Sequence, residues 1–203
     1  RWLKSDGFVG LYLLGIFLAT NGYTYAWDDQ HLEIPLLKSL IDPALYQGDY
    51  YVESLKRNFL SFLYPILARL ISVDQIPPTY FFLYVISRYS FFFWMYKFWC
   101  IVIEKERTPL SFPSAKLIAF LCVLSIMMVG RVDEFLYRTF SHQEFALAII
   151  MAGMYYFYRQ RFILAAMLLG IAANFHALYS LFPMTYIVIY LLGQHKKYSW
   201  EIS

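Results

Sequence analysis

The feature that most constrains this chain is an apolar run, Phe8 to Ala26, that ends in the polar string Trp27-Asp28-Asp29-Gln30-His31. A helix over residues 8–26 rises about 28 Å, close to the hydrocarbon thickness of a bilayer, so the run predicts a spanning helix. Asp28 and Asp29 are then expected at a membrane–water boundary, where a carboxylate is costly unless it is solvated, paired or used. If they close that helix, both acids oppose its dipole, which weakens a structural reason for the pair and strengthens a functional one. They are the candidate catalytic residues, with His31 beside them as a candidate substrate contact.

Hydrophobic residues make up 60% of the 203 and charged residues only 15%, which predicts an all-α, polytopic transmembrane helical bundle. Tyr25, Trp27, Tyr80, Trp99 and Tyr198 fall near the ends of apolar runs, where amphipathic rings favour the headgroup layer. A net charge of +3, dispersed along the chain, argues against a nucleic-acid partner. Cys100 and Cys122 lie inside apolar runs and are expected to pack there. P-loop, Rossmann, zinc-ligand and nucleophile-elbow patterns are absent, which argues against nucleotide-driven transport and against soluble-type hydrolases. Because the sequence starts at Arg1 without a methionine and stops soon after an apolar segment, it is expected to be a fragment of a longer protein.

Read in order, the chain forms a single transmembrane domain over 1–203, with spans at about 8–26, 79–103, 116–129, 145–158, 162–175 and 177–192. The last two come from one apolar tract, 162–192, which is too long for a single span and is expected to turn between Asn174 and Ser180. Residues 27–78 form a long outward loop carrying surface helices. One covers Leu32 to Ile41, with Pro35 acceptable in a first turn, and another is capped by Asn58 and runs through Phe59 to Ile71. The distribution of Lys and Arg sets the orientation. Nine of them (Arg1, Lys4, Lys105, Arg107, Lys116, Arg159, Arg161, Lys196, Lys197) collect on the cytoplasmic side against six outside, and ten of the fourteen carboxylates then face outward.

A second outward loop, 130–144, crowds Arg131, Asp133, Glu134, Arg138, His142 and Glu144 together. Asp133 and Glu134 are candidate ligands for a hard divalent cation, magnesium or manganese. Arg131, Arg138 and His142 are candidate contacts for a phosphate, and His176 is a further candidate substrate contact. Arg88, inside a span, is expected to pair within the bundle or to line a wet cavity.

The paired acids after the first span, the runs Ser141-His142-Gln143-Glu144-Phe145-Ala146-Leu147-Ala148 and Gly170-Ile171-Ala172-Ala173-Asn174-Phe175-His176-Ala177-Leu178, and the loop from Asp28 to Asp49 together resemble the GT-C superfamily of integral membrane glycosyltransferases. The segment from Asp28 to Asp49 is most similar to a prokaryotic branch of it. The resemblance implies a polyprenyl-phosphate-linked sugar as donor, membrane lipid as a partner, and transfer to an acceptor on the outer face of a prokaryotic cytoplasmic membrane. It also implies that Asp28 or Asp29 serves as base or metal ligand. Asp133-Glu134 is the nearest match to a second acidic motif, although its acids are adjacent where the family spaces them. The rival readings are half of a transporter, for which inverted repeats would be expected and none is visible, and a non-catalytic membrane scaffold.

Overall fold

The structure, a computed structural model, describes residues 5–59, 61–105, 112–129 and 136–200. Among these every regular element is helical and there is no strand. The order is α1 (Asp6–Asn21), α2 (Gln30–Ile41), α3 (Tyr50–Asn58), α4 (Leu63–Leu70), a single 3-10 turn (Val73–Gln75), α5 (Ile76–Lys105), α6 (Phe112–Val129), α7 (His142–Tyr158), α8 (Phe162–Phe175) and α9 (Ala177–Trp200).

Helix α5, 30 residues long, is the axis of the bundle. Helices α1, α6 and α7 pack against it, α8 packs on α7, and α9 touches both α7 and α8. The α1–α5 contact is aromatic: Phe17 lies 5.2 Å from the Phe92 ring and 6.3 Å from that of Tyr84, between ring centroids. Two glycines set how closely the helices approach. A Cβ on Gly10 would meet the Tyr89 ring at 3.0 Å, and one on Gly153 would meet Leu169 Cγ at 3.0 Å. At the other end of α1, helices α2, α3 and α4 form a small layer in which Ile34, Leu36, Leu37, Leu63, Tyr64 and Leu67 join the main core.

The first apolar run does not form one helix. Helix α1 stops at Asn21, Gly22 turns the backbone at φ +74°, and Tyr84 Oη donates to Gly22 O at 2.9 Å, so residues 22–29 leave the helical path. Asn58, expected as a cap, does not open a helix either. It closes α3, its Nδ2 donating to Ser54 O at 3.0 Å, and α4 begins only at Leu63. Helix α3 starts at its own cap: Asp49 Oδ1 accepts from the N–H groups of Tyr51 (2.9 Å) and Val52 (3.1 Å). Pro35 lies beyond the first turn of α2, because that helix begins at Gln30. The apolar tract 162–192 breaks at His176, between α8 and α9.

Among the described residues no helix is both long and apolar enough to cross a membrane. Helices α1, α7 and α8 have 16, 17 and 14 residues, about 21 to 26 Å of rise against a core of about 30 Å. The longer α5 carries Arg88, Lys97 and four tyrosines. The all-helical class stands, while the polytopic spans rest on the sequence pattern alone.

Candidate functional site

Three consecutive side chains at the start of α7 gather the site. Successive residues of a helix point about 100° apart, so neighbours in sequence reach different elements. His142 meets Glu33 of α2 (Nδ1 to Oε1, 2.8 Å), Gln143 Nε2 donates to Asp29 Oδ2 (3.2 Å), and Glu144 pairs with Arg88 of α5. Arg88 also donates through Nη2 to Tyr137 O at 2.6 Å and lies over the rings of Phe17 and Tyr84, so its charge is committed within the bundle.

Helix α2 supplies the opposing face. Gln30, Glu33, Ile34 and Leu37 recur at helical spacing and are all buried. Gln30 works as a stitch: Ala26 N–H donates to its Oε1 (2.6 Å), and its Nε2 donates to Phe140 O (2.8 Å). With Thr24 N–H donating to Arg138 O (2.9 Å), the irregular segment after α1 is laced to the segment before α7.

Glu33 is 1% exposed. Burial pushes its carboxyl above the ordinary glutamate range while His142 pulls it back, and Oε2 has no protein partner. Tyr64 Oη lies 3.2 Å from His142 Nδ1, and burial together with the Glu33 charge holds this phenol well above its usual range. His176 stacks on His142 at 5.0 Å, with 30° between the planes, and its Nδ1 accepts from Tyr179 N–H (3.1 Å) to cap α9. Burial, and then the neighbouring His142, lower its pKa. Tyr179 Oη returns to Gln143 Oε1 at 3.3 Å.

The two candidate catalytic acids part company. Asp28, at φ +53°, lines a cleft of about 530 Å³ with Asn21, Thr24, Trp27, Tyr137 and Arg138. Asp29 turns to Gln143, and burial followed by the adjacent Asp28 charge raises its pKa. Ala26 at φ +56° and Asp28 flank the exposed Trp27. Such left-handed non-glycine residues cost about 1 to 3 kcal/mol each and persist only where the surroundings hold them. Asp29 immediately precedes α2, so it stands at the end of a helix where negative charge is favoured. The expectation that the pair opposes the dipole of the first helix is corrected accordingly.

Arg138 reaches the cleft, and His142 and His176 meet in the network. His31 is exposed and stands apart, 6.4 Å from the Trp27 ring between centroids. Arg131, Asp133 and Glu134 lie outside the described residues. Among the described residues no group of three or more His, Cys, Asp and Glu side chains is placed to hold a metal ion. No step is assigned to a magnesium or manganese ion. Gln30, Glu33, Tyr64 and Gln143 escape the sequence reading. For Gln30 and Glu33 there is a signal, since each is a polar residue on the apolar face of an amphipathic helix. No protein-family model, no curated protein and no solved structure matches this chain.

Proposed function

We propose that the chain is part of a membrane-embedded, GT-C-like glycosyltransferase, whose cleft beside Asp28 and Arg138 takes a polyprenyl-phosphate-linked sugar and an acceptor hydroxyl. The observation that carries this reading is the cleft itself, whose lining includes Asp28, on a strained turn, and Arg138. A carboxylate can accept the proton of an attacking hydroxyl, and a planar guanidinium matches a departing phosphate. In the proposed reaction the acceptor oxygen bonds to the anomeric carbon while the bond from that carbon to the phosphate oxygen breaks. The acceptor proton passes to Asp28, and the lipid phosphate leaves as an anion against Arg138. Asp29, held by Gln143, is a positioning residue that fixes the start of α2 beside Asp28.

The membrane setting is supported by apolar side chains that no described residue covers, such as Phe82 on α5, Ile163 and Met167 on α8, and Phe182, Ile189 and Leu192 on α9. Helices shorter than the hydrocarbon layer are accommodated by local thinning of the bilayer and by flanking polar and aromatic residues. The bias of Lys and Arg orients the cleft to the non-cytoplasmic side. The transporter reading loses its main support, because Arg88, which would line a solute path, is taken up by Glu144, Tyr137 O and two aromatic rings.

The test is turnover of a polyprenyl-phosphate sugar by purified full-length protein, with variants matched for thermal stability. Asp28→Asn is expected to lower turnover by about 100-fold or more, as for loss of a general base. Arg138→Gln is expected to weaken donor binding by about tenfold or more. If both turn over like the parent, the cleft is not a transfer site.

A further inference from the structure

The chemistry assigned to the Asp28 cleft leaves one of its lining residues without a task. Trp27 belongs to that lining with Asn21, Thr24, Asp28 and Arg138, yet it is 67% exposed. An indole left in water forgoes the burial that aromatic rings contribute elsewhere in this bundle. The backbone on either side of it is also held in an unfavourable form. Ala26 at φ +56° and Asp28 at φ +53° are left-handed, a conformation uncommon for residues that carry a Cβ. Three bonds hold them there: Ala26 N–H donates to Gln30 Oε1 at 2.6 Å, Gln30 N–H to Trp27 O at 3.2 Å, and His31 N–H to Asp28 O at 2.9 Å. An aromatic ring that only marks the depth of the membrane surface gains nothing from a strained and tied backbone. Strain of this kind clusters at ligand sites, where the surrounding structure over-determines it.

The volume of the cleft, about 530 Å³, falls within the range of about 300 to 1,000 Å³ common for small-molecule sites. Its lining combines one large aromatic ring with a carboxylate, an amide, a hydroxyl and a guanidinium, from Asp28, Asn21, Thr24 and Arg138. A pyranose asks for that combination. Its hydroxyls donate and accept around the rim of the ring, while the C–H bonds on its faces, polarised by the adjacent oxygens, are drawn to the negative face of an aromatic system. A bare phosphate has no use for the indole, and an alkyl chain has none for the polar groups. Asn21 Nδ2 lies 3.4 Å from Thr20 Oγ1, a long bond that a sugar hydroxyl can replace.

We infer that Trp27 is the platform on which the transferred pyranose stacks, so that the cleft recognises its sugar by a C–H face of the ring, with Asn21 and Thr24 taking hydroxyls. This rests on the glycosyl-transfer reading and names what holds the sugar in it. Stacking sets the plane of the ring relative to Asp28, the next residue in the chain.

The test uses purified full-length protein in a detergent without sugar groups, labelled with 5-fluorotryptophan and followed by fluorine NMR. The Trp27 signal is identified by its loss in Trp27→Phe. Polyprenyl phosphate carrying glucose, galactose or mannose is titrated beside the same polyprenyl phosphate without a sugar. At least one sugar-bearing carrier is expected to move the Trp27 signal, and the bare carrier to leave it in place. Trp27→Ala, at an exposed position, is expected to bind that sugar-bearing carrier about tenfold more weakly and the bare carrier as the parent does, while Trp27→Phe keeps most of the affinity. A ring that only anchors the chain at the membrane surface predicts equal losses for both carriers. The inference is overturned by equal losses, by a Trp27→Ala variant that binds both carriers like the parent, or by a Trp27 signal that no sugar-bearing carrier moves. Turnover by the same samples judges the transfer reading separately. A parent that moves sugar while Trp27→Ala binds unchanged overturns the platform alone, and a parent that neither moves sugar nor prefers a sugar-bearing carrier overturns both.

Discussion

Two carboxylates are sealed into this bundle, Glu144 at 3% and Glu33 at 1% exposure, and they face different kinds of partner. Glu144 meets Arg88, a cation that does not lose its proton in proteins, and Arg88 is further fixed by Tyr137 O and two rings. Glu33 meets His142, whose Nδ1 also lies 3.2 Å from Tyr64 Oη, and one of its oxygens is left without a protein partner. The first pair is a brace between α5 and α7. The second is a hydrogen-bonded link between α2 and α7, next to the acids at the start of α2. The difference teaches that burial alone does not mark a working group; the titratability of its partner does.

The sharpest way to break the comparison is to remove the permanent cation. Arg88→Met leaves Glu144 buried and unpaired, which is expected to cost about 3 to 5 kcal/mol. Thermal unfolding in detergent reads it, and adding Glu144→Gln should recover much of the loss. A parent-like midpoint for Arg88→Met alone would show that the pair braces nothing.

Glu33→Gln is expected to have a smaller effect, and one that depends on pH. Because its folded-state pKa is raised, the folded protein holds this proton more tightly than the unfolded chain. Its contribution is therefore complete below about 4.5 and is lost as pH rises through the raised value. The parent should lose stability across that rise, on the order of 1 to 3 kcal/mol for a buried group left without full compensation, and Glu33→Gln should lose correspondingly less, keeping only the slope from the other shifted groups such as Asp29 and Glu144. Parallel stability–pH curves for the two proteins would mean that Glu33 does not titrate in the fold.

The smallest expected effect concerns His176, which borders the same network and also caps α9. Its lowered pKa has the opposite sign: the neutral form is favoured in the fold, so stability falls as pH drops below about 6.5 and levels off beneath the lowered value. His176→Ala should lose about 1 kcal/mol, the usual value of a cap, and His176→Asn should restore the cap without the acid loss. If His176→Asn keeps the acid loss, the proton responsible does not sit on His176.

Much of the helical order was legible because long apolar stretches at α1, α5, α7 and α8 leave few alternatives to a helix. The stop of α1 was not legible: Tyr23, Tyr25 and Ala26 continue the apolar run, and the hydrogen bonds that Tyr84 Oη donates to Gly22 O and Thr24 N–H donates to Arg138 O explain why the chain leaves the helix at Gly22. Helix α3 hid because its apolar content is slight, although Asp49 announces its start. In the site, Asp28, Asp29, Arg138, His142 and His176 stood out by residue type and position. Glu33 did not, since an acid on a surface helix reads as a solvated charge until its neighbours Ile34 and Leu37 are seen to face inward with it. Gln30 and Gln143 carry no charge and drew no attention, yet they fix where Asp28 and Asp29 point.

The stitch made by Gln30 also has a bearing on the order in which the protein is built. Its amide bonds to Phe140 O across 110 positions of sequence, so the turn that presents Asp28 has no anchor while the ribosome is still producing the intervening helices. At synthesis rates of about 5 to 20 residues per second, that interval lasts on the order of 6 to 22 seconds. During it Ala26 and Asp28 have no reason to hold a left-handed backbone, and the nascent turn is free to relax. The cleft is thus a late product of synthesis, assembled when the segment before α7 arrives to close it.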